Sequence, residues 1–187
     1  MEDQKELWKK RANRYNDLEW VGKSNILQAL LLVGNFKPED VVLDAGCGTG
    51  KVLCTIAPRV KEVHGVDLSE EMLSKIDLSS VPNAKIKVCR ICELDYPENM
   101  FDKATARLVL HHILDDKELE DSIKEIYRVL KTGGRVIVSE GVPPHEDVKK
   151  DYEEIFKLKE ERRVFMPNDL VGLLKKVGFE HVRVNIM

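Results

Sequence analysis

The sequence has little that would take it to a membrane or out of the cell. Its longest apolar run, Ala29 to Val33, is five residues long, whereas a bilayer span needs about 20. Residues Met1 to Lys10 are charged throughout and carry no apolar stretch of the kind that heads a secretory signal. Cysteine is scarce, and Cys47, Cys54, Cys89 and Cys92 do not fall in a disulfide-framework pattern. A reducing, cytoplasmic setting is therefore expected. Cys89-x-x-Cys92 has no second pair at the spacing of a structural zinc site and no close third cysteine for an iron–sulfur cluster, so no metal is expected. Positive charge is not in excess: 30 Lys and Arg face 33 Asp and Glu, for a net charge of -3. That excludes the basic footprint of a nucleic-acid binder, and no nucleic-acid or membrane partner is expected. Repeats, low-complexity tracts and Pro- or Gly-rich linkers are missing too.

What is present fits one globular unit. With 187 residues, 43% of them hydrophobic, the chain can bury one substantial core, and residues 1–187 are read as a single domain. Residues 2–35 have helical spacing, with Leu7, Trp8, Ala12, Tyr15, Leu18 and Trp20 on a first helix and Ile26, Leu27, Leu30, Leu31 and Val33 on a second. Both tryptophans lie in the first 20 residues. They either anchor a peripheral helix to the core or form part of a helical lid, residues 1–35, over a ligand.

The organising stretch is Val41-Val42-Leu43-Asp44-Ala45-Gly46-Cys47-Gly48-Thr49-Gly50-Lys51. An apolar run that ends at recurring glycines reads as a buried parallel strand, a tight turn and the start of a helix. Glycine there permits positive φ and lets a ligand lie on bare main chain. The spacing decides between ligands. A dinucleotide fingerprint, G-x-G-x-x-G, needs glycine where the chain has Lys51, and a phosphate-binding loop needs other residues at Ala45 and Val52. Asp67 follows 21 residues after Gly46, at the end of the apolar run Val63 to Val66. An acidic residue at that distance, on the tip of the next strand, accepts hydrogen bonds from both ribose hydroxyls of an adenosine ligand.

The string Asp-x-Gly-x-Gly-x-Gly over residues 44–50 resembles the first motif of the class I S-adenosylmethionine-dependent methyltransferases. Further phrases resemble the same family in order: A-x-x-Y at residues 12–15, V-D-L-S-x-x-M-L at 66–73, F-D-x-A-x-x-R-x-x-L-H-H at 101–112, Y-R-V-L-K-x-G-G-R-V-I-V at 127–138 and L-L-K-K-V-G-F-E at 173–180. The group that the chain resembles most is the small-molecule and quinone methyltransferases, of domain types 11 and 25. The resemblance implies a Rossmann-like, doubly wound α/β fold with a mostly parallel sheet flanked by helices. Relatives usually add a last antiparallel strand after the one expected at Val182, Val184 and Ile186. Here it is missing or its edge is covered otherwise, a partner subunit of a homodimer being one way.

The resemblance also implies S-adenosylmethionine as cofactor, S-adenosylhomocysteine as product and in-line methyl transfer to a small-molecule acceptor. It places Tyr15, Asp44, Gly46, Cys47, Gly48, Gly50, Asp67, Leu68, Met72, Ile91, Cys92 and Arg107 around the donor. Asp67 would hold the ribose, Leu68 would touch the adenine, Met72 would pack on it and Ile91 would offer it a backbone N–H. One departure stands out. Two residues before Cys92 the family commonly carries an acidic or amide residue that accepts from the adenine amino group, whereas Arg90 can only donate. Either Arg90 stacks on the ring, or Cys92 and Glu93 take over the polar contact. His111 and His112 are candidate general bases on the acceptor side, the alternative being that they cap or pack the helix that follows. Residues 147–163 read as a charged helix in which Glu160 to Arg163 form a solvated face or, alternatively, Arg162 or Arg163 meets an acidic acceptor, and Asn168 reads as the cap of the next. A nicotinamide-dependent oxidoreductase and a non-catalytic donor-binding module share parts of the pattern; the glycine spacing opposes the first.

Overall fold

A computed structural model describes residues 4–12, 24–158 and 160–186. Five strands form one sheet: β1 (Val41–Ala45), β2 (Glu62–Asp67), β3 (Ala84–Val88), β4 (Phe101–Arg107) and β5 (Leu130–Ser139). Their spatial order is β3-β2-β1-β4-β5 and every pairing is parallel. Among the described residues seven α-helices flank them: α1 (Gln4–Arg11), α2 (Ser24–Gly34), α3 (Lys51–Ile56), α4 (Glu70–Leu73), α5 (Asp116–Val129), α6 (Lys149–Lys157) and α7 (Pro167–Val177).

The apolar runs in the central strands exist because both of their faces are covered. Val42 and Val63 point to the face where Leu30 of α2 and Leu53 and Ile56 of α3 pack. Their neighbours Leu43 and Val66 point the other way, to Phe101 and to Ile126 and Val129 of α5. Alternation along each strand thus builds two half-cores from one short sequence, each buried side chain contributing about 1.5–3 kcal/mol. A third cluster joins Leu119 and Ile123 of α5 to Phe165 and the apolar face of α7.

This is the doubly wound sheet that the sequence implied, all parallel among the described residues. The chain moves outward from β1 to β3, then returns to the other side of β1 with β4. Ligands of such sheets bind beyond the strand ends where the winding reverses, here between β1 and β4.

Several boundaries differ from expectation. Residues 182–186 form no strand, and Val184 and Ile186 are exposed. Lys131 to Gly134 do not close α5 as a loop: they bulge within β5, between the pairs Phe101–Leu130 and Lys103–Arg135, with Gly133 at φ +77°. α6 ends at Lys157 rather than near Arg163, leaving Glu160 to Phe165 extended. α7 begins at Pro167, and it is the Met166 N–H, bonded to the Asp169 carboxylate at 2.8 Å, that closes its first turn instead of an Asn168 cap. The expected break around Asp17 to Gly22 lies outside the described residues.

Candidate functional site

A cleft of about 580 Å³ opens beyond the carboxyl ends of β1, β2 and β4. Its floor is the turn after β1. The N–H groups of Gly46 and Cys47 both bond the Val66 carbonyl, at 2.8 and 3.0 Å, which folds the turn back over β2. Gly46 has φ +72°, and a Cβ there would come within 2.3 Å of a Val109 methyl. Gly48 has φ +53° and lies in open space against the cleft, where only the Met72 methyl would meet a Cβ, at 3.4 Å. The first glycine serves close packing and the second leaves main chain bare to a ligand.

Two carboxylates border that turn. Asp67 accepts from the Gly48 N–H at 2.8 Å and from the Ser69 N–H at 2.9 Å, so its carboxyl is fixed at the cleft wall. Burial raises its pKa and these backbone bonds oppose the rise. Ser69 in turn caps α4, accepting from the Met72 N–H at 3.2 Å. Asp44, at 1% exposure, receives the Thr105 hydroxyl on Oδ1 at 2.7 Å, while its Oδ2 has no hydrogen-bond partner among the described residues. Burial pushes its pKa up to about 6, against the Thr105 bond. An orphaned, buried carboxylate oxygen at a cleft wall is a position for a hydrogen-bonding cation.

The opposite end of the cleft is more apolar. Trp8, Leu108, Val109, Ile113 and Leu114 line it together with Arg107 and His112. Leu108 sits at φ +53°, a strained conformation for a branched residue, and its N–H bonds the Ser139 carbonyl at 2.8 Å. His112 meets the Trp8 ring edge-on at 4.6 Å between centroids, and its Nδ1 lies 2.8 Å from Glu160 Oε1. Burial lowers the His112 pKa from 6.5, with Glu160 opposing, so the ring is neutral at pH 7. Glu160 also pairs with Arg11, and His112 and Arg11 hold its carboxyl down to about 2 in spite of burial. Arg163 secures the same wall: its N–H bonds the His111 carbonyl at 2.8 Å and its guanidinium bonds the carbonyls of Ile113 and Leu114 at 3.2 and 2.5 Å.

The cleft brings together Asp44, Gly46, Cys47, Gly48, Asp67, Leu68, Met72, Ile91, Arg107 and His112. Three expected residues stand elsewhere. Gly50 lies behind the turn, where a Cβ would strike Ile76 at 2.9 Å. Cys92 lines a neighbouring shallow depression with Glu93. His111 is buried off the cleft, its Nδ1 2.5 Å from Glu140 Oε2, because Glu140 gathers the whole turn after β4. Tyr15 lies outside the described residues. Arg163 is a structural tie, not an acceptor contact, and Arg162 lies over the Phe156 ring at 3.2 Å. Sequence reasoning missed Trp8, Glu118, Ser122 and Glu160 as site residues. Only for Trp8 was there a signal, the clustering of tryptophan at the N-terminus. Among the described residues no helix is long and apolar enough to cross a membrane, and no group of three His, Cys, Asp or Glu could hold a metal.

The methyltransferase-domain family model matches residues 43–138, just over half of the chain. The chain is 28% identical over 147 residues to the uncharacterized methyltransferase YcgJ of Bacillus subtilis, covering 76% of this chain and 57% of that protein. It is 34% identical over 107 residues to the tRNA (carboxymethyluridine(34)-5-O)-methyltransferase of Arabidopsis thaliana, covering 57% of this chain and 25% of that one. The solved structure of Haemonchus contortus phosphoethanolamine N-methyltransferase 2, in complex with phosphomonomethylethanolamine and S-adenosylhomocysteine, superposes with a TM-score of 0.71. The two are 26% identical, and the match covers 92% of this chain and 42% of that one. The chain spans about half the length, or less, of the curated relatives it matches. A parallel sheet wound about β1, a glycine turn beneath the cleft and a family match that runs from β1 to β5 agree: the chain belongs to the methyltransferase-domain family of the class I S-adenosylmethionine-dependent methyltransferases.

Proposed function

We propose that the protein transfers a methyl group from S-adenosylmethionine to a small-molecule acceptor. The observation that carries this reading is the Asp44 Oδ2, buried at the cleft wall with no partner among the described residues. Such an oxygen fits the ammonium of the donor's amino-acid part. The bare turn at Gly46 to Gly48 fits its backbone, and Asp67, on the neighbouring strand tip, fits its ribose diol. Met72, Leu68 and Ile91 supply apolar surface, and Arg107 sits on the β4 side, where the reactive end falls.

Bound, S-adenosylmethionine supplies a methyl on a sulfonium, already activated for displacement. The chain's own residues then have three tasks. The turn and the two carboxylates fix the donor's position, and fixed geometry of this kind contributes up to about 7–11 kcal/mol to such a step. Trp8, Leu108 and Ile113 exclude water from the reacting atoms. His112, neutral at pH 7, takes the proton of an acceptor that must lose one as it attacks. The helix α1 acts as a cover: Trp8 lines the cleft, and α1 is tied down through Arg11 to Glu160 and through Lys9 to Glu71 at 3.9 Å.

A small acceptor is favoured over a polymer because the acceptor end is lined by apolar side chains, Trp8 among them. The test has two parts. Calorimetry with S-adenosylhomocysteine is expected to show one site per chain, and no binding would overturn the donor reading. S-adenosylhomocysteine formation is then followed with a panel of quinols, phenols, amines and thiols, and separately with bulk tRNA. Turnover on tRNA alone would overturn the small-molecule reading; product with no member of either set would mark a donor-binding module.

A further inference from the structure

At the base-binding end of the cleft, Arg90 leaves an open question: which group meets the adenine amino edge. The strand register locates that end. Asp67 pairs with Val88 across the β2–β3 ladder, so a ribose held by Asp67 directs its base past Val88 onto Cys89, Arg90 and Ile91. The wall facing these residues is the first turn and a half of α5, from which Glu118 and Ser122 reach the cleft.

Both groups are prepared for a ligand. Ser122 is 1% exposed, and its Oγ has no hydrogen-bond partner among the described residues. A mid-helix serine commonly bonds a carbonyl one turn back; this one does not. Glu118 stands one turn earlier on the same helix face. Its Oε1 is held by the Arg90 guanidinium at 2.5 Å and meets the Cys92 thiol at 3.9 Å, which fixes the carboxylate; Oε2 has no hydrogen-bond partner among the described residues. Cys92 and Glu93, the other possible polar partners, line only the neighbouring shallow depression, whereas Arg90 and Glu118 border both it and the cleft.

We propose that Glu118 and Ser122 read the 6-amino edge of the donor's adenine and set the base specificity of the site. This rests on S-adenosylmethionine being the donor. Glu118 Oε2 accepts from the exocyclic amino group, and the Ser122 hydroxyl donates to a ring nitrogen. Arg90 is the positioning residue: it does not touch the base but locks the carboxylate that does. A 6-oxo purine sets a carbonyl oxygen against the carboxylate, two acceptors with no proton between them, while the Ser122 hydroxyl can turn to accept from the ring N–H; the mismatch falls on Glu118. Discrimination follows because the facing acceptors, a carboxylate and a carbonyl, are left unpaired and repel.

The experiment is calorimetry on the full chain with S-adenosylhomocysteine and its 6-oxo analogue, S-inosylhomocysteine. Wild-type protein is expected to prefer the adenine ligand by about a hundredfold or more. Glu118→Gln, whose amide both donates and accepts, is expected to bring the preference within about tenfold. Ser122→Ala is expected to weaken S-adenosylhomocysteine about tenfold with an unchanged melting temperature. Arg90→Met, which frees the carboxylate but leaves it in place, is expected to give an intermediate preference. A wild-type preference for adenine that persists unchanged in Glu118→Gln and Ser122→Ala, with both variants folded, overturns this proposal and leaves the donor reading intact. Failure of the wild type to bind S-adenosylhomocysteine overturns both.

Discussion

Two buried carboxylates flank the site from neighbouring parts of the sheet, and they are used in opposite ways. Glu140, just past β5, is saturated by its own chain: it accepts from the N–H groups of Val109 and Leu110 at 3.1 and 2.8 Å, and its other oxygen meets His111. Asp44, at the end of β1, has one oxygen on Thr105 and the other on nothing among the described residues. Glu140 holds up the turn that forms one cleft wall, whereas Asp44 is kept incomplete and its pKa is pushed up to about 6 by burial. The histidines divide the same way. His111 goes to Glu140 and the core, and His112 to the cleft. A buried acid with both oxygens engaged is architecture; one that the fold leaves short of a partner, at a cost in stability, fits the ligand role proposed above.

The sharpest way to break this contrast is to exchange each acid for its amide. Asp44→Asn is expected to weaken S-adenosylhomocysteine by about two orders of magnitude, since an ammonium loses its buried counter-charge. The melting temperature should not fall, because the carboxylate is already disfavoured there. Glu140→Gln should leave donor affinity within a few-fold. Equal losses of affinity in both variants would erase the distinction.

The histidines give the second test. His112→Ala is expected to lower turnover about a hundredfold at unchanged donor affinity, on whichever acceptor the panel identifies. His111→Ala should act through stability instead. A kinetic loss that is as large for His111 would reverse the assignment.

Stability provides the third. Glu140→Ala strands two backbone N–H groups and a ring nitrogen, and is expected to cost about 3 kcal/mol in denaturant unfolding. An unchanged unfolding midpoint would show that water satisfies that turn.

The smallest effect is with pH. Asp44's folded pKa is raised above its ordinary 3.8, so the folded chain without donor is the one that binds the extra proton between about pH 4 and 6. The ammonium needs the ionised form. Donor affinity is therefore expected to hold above pH 6 and to fall by up to about tenfold per unit below it. Asp44→Asn should flatten that slope, and a slope that persists in the variant would assign it to Asp67.

Much of this was legible in the chain because it is local. Asp44, Gly46, Gly48 and Asp67 follow strands whose apolar runs announce them, and the turn after β1 is built from consecutive residues. What was not legible depends on elements far apart in sequence. Glu118 and Ser122 look like any polar positions of an amphipathic helix until β3 is laid opposite them. Glu160 sits in a run of charges that resembles a solvated helix face, yet it is 149 residues from Arg11, with which it pairs. His111 and His112 are adjacent and chemically alike; only the turn geometry and Glu140 separate them. The bulge at Gly133 was hidden because a glycine pair past a helix usually stops it, while here the pairing with β4 continues around it.

The tie made by Arg163 sets an order in time. The donor half of the cleft rests on β1, β2, β3, their turns and the first two turns of α5, all present once the chain has passed residue 122. The wall that bears His112 is fastened to the carbonyls of His111, Ile113 and Leu114 by a residue some 50 positions later. During synthesis, then, the adenosine-holding half can be assembled while the wall that faces the acceptor is still unfastened.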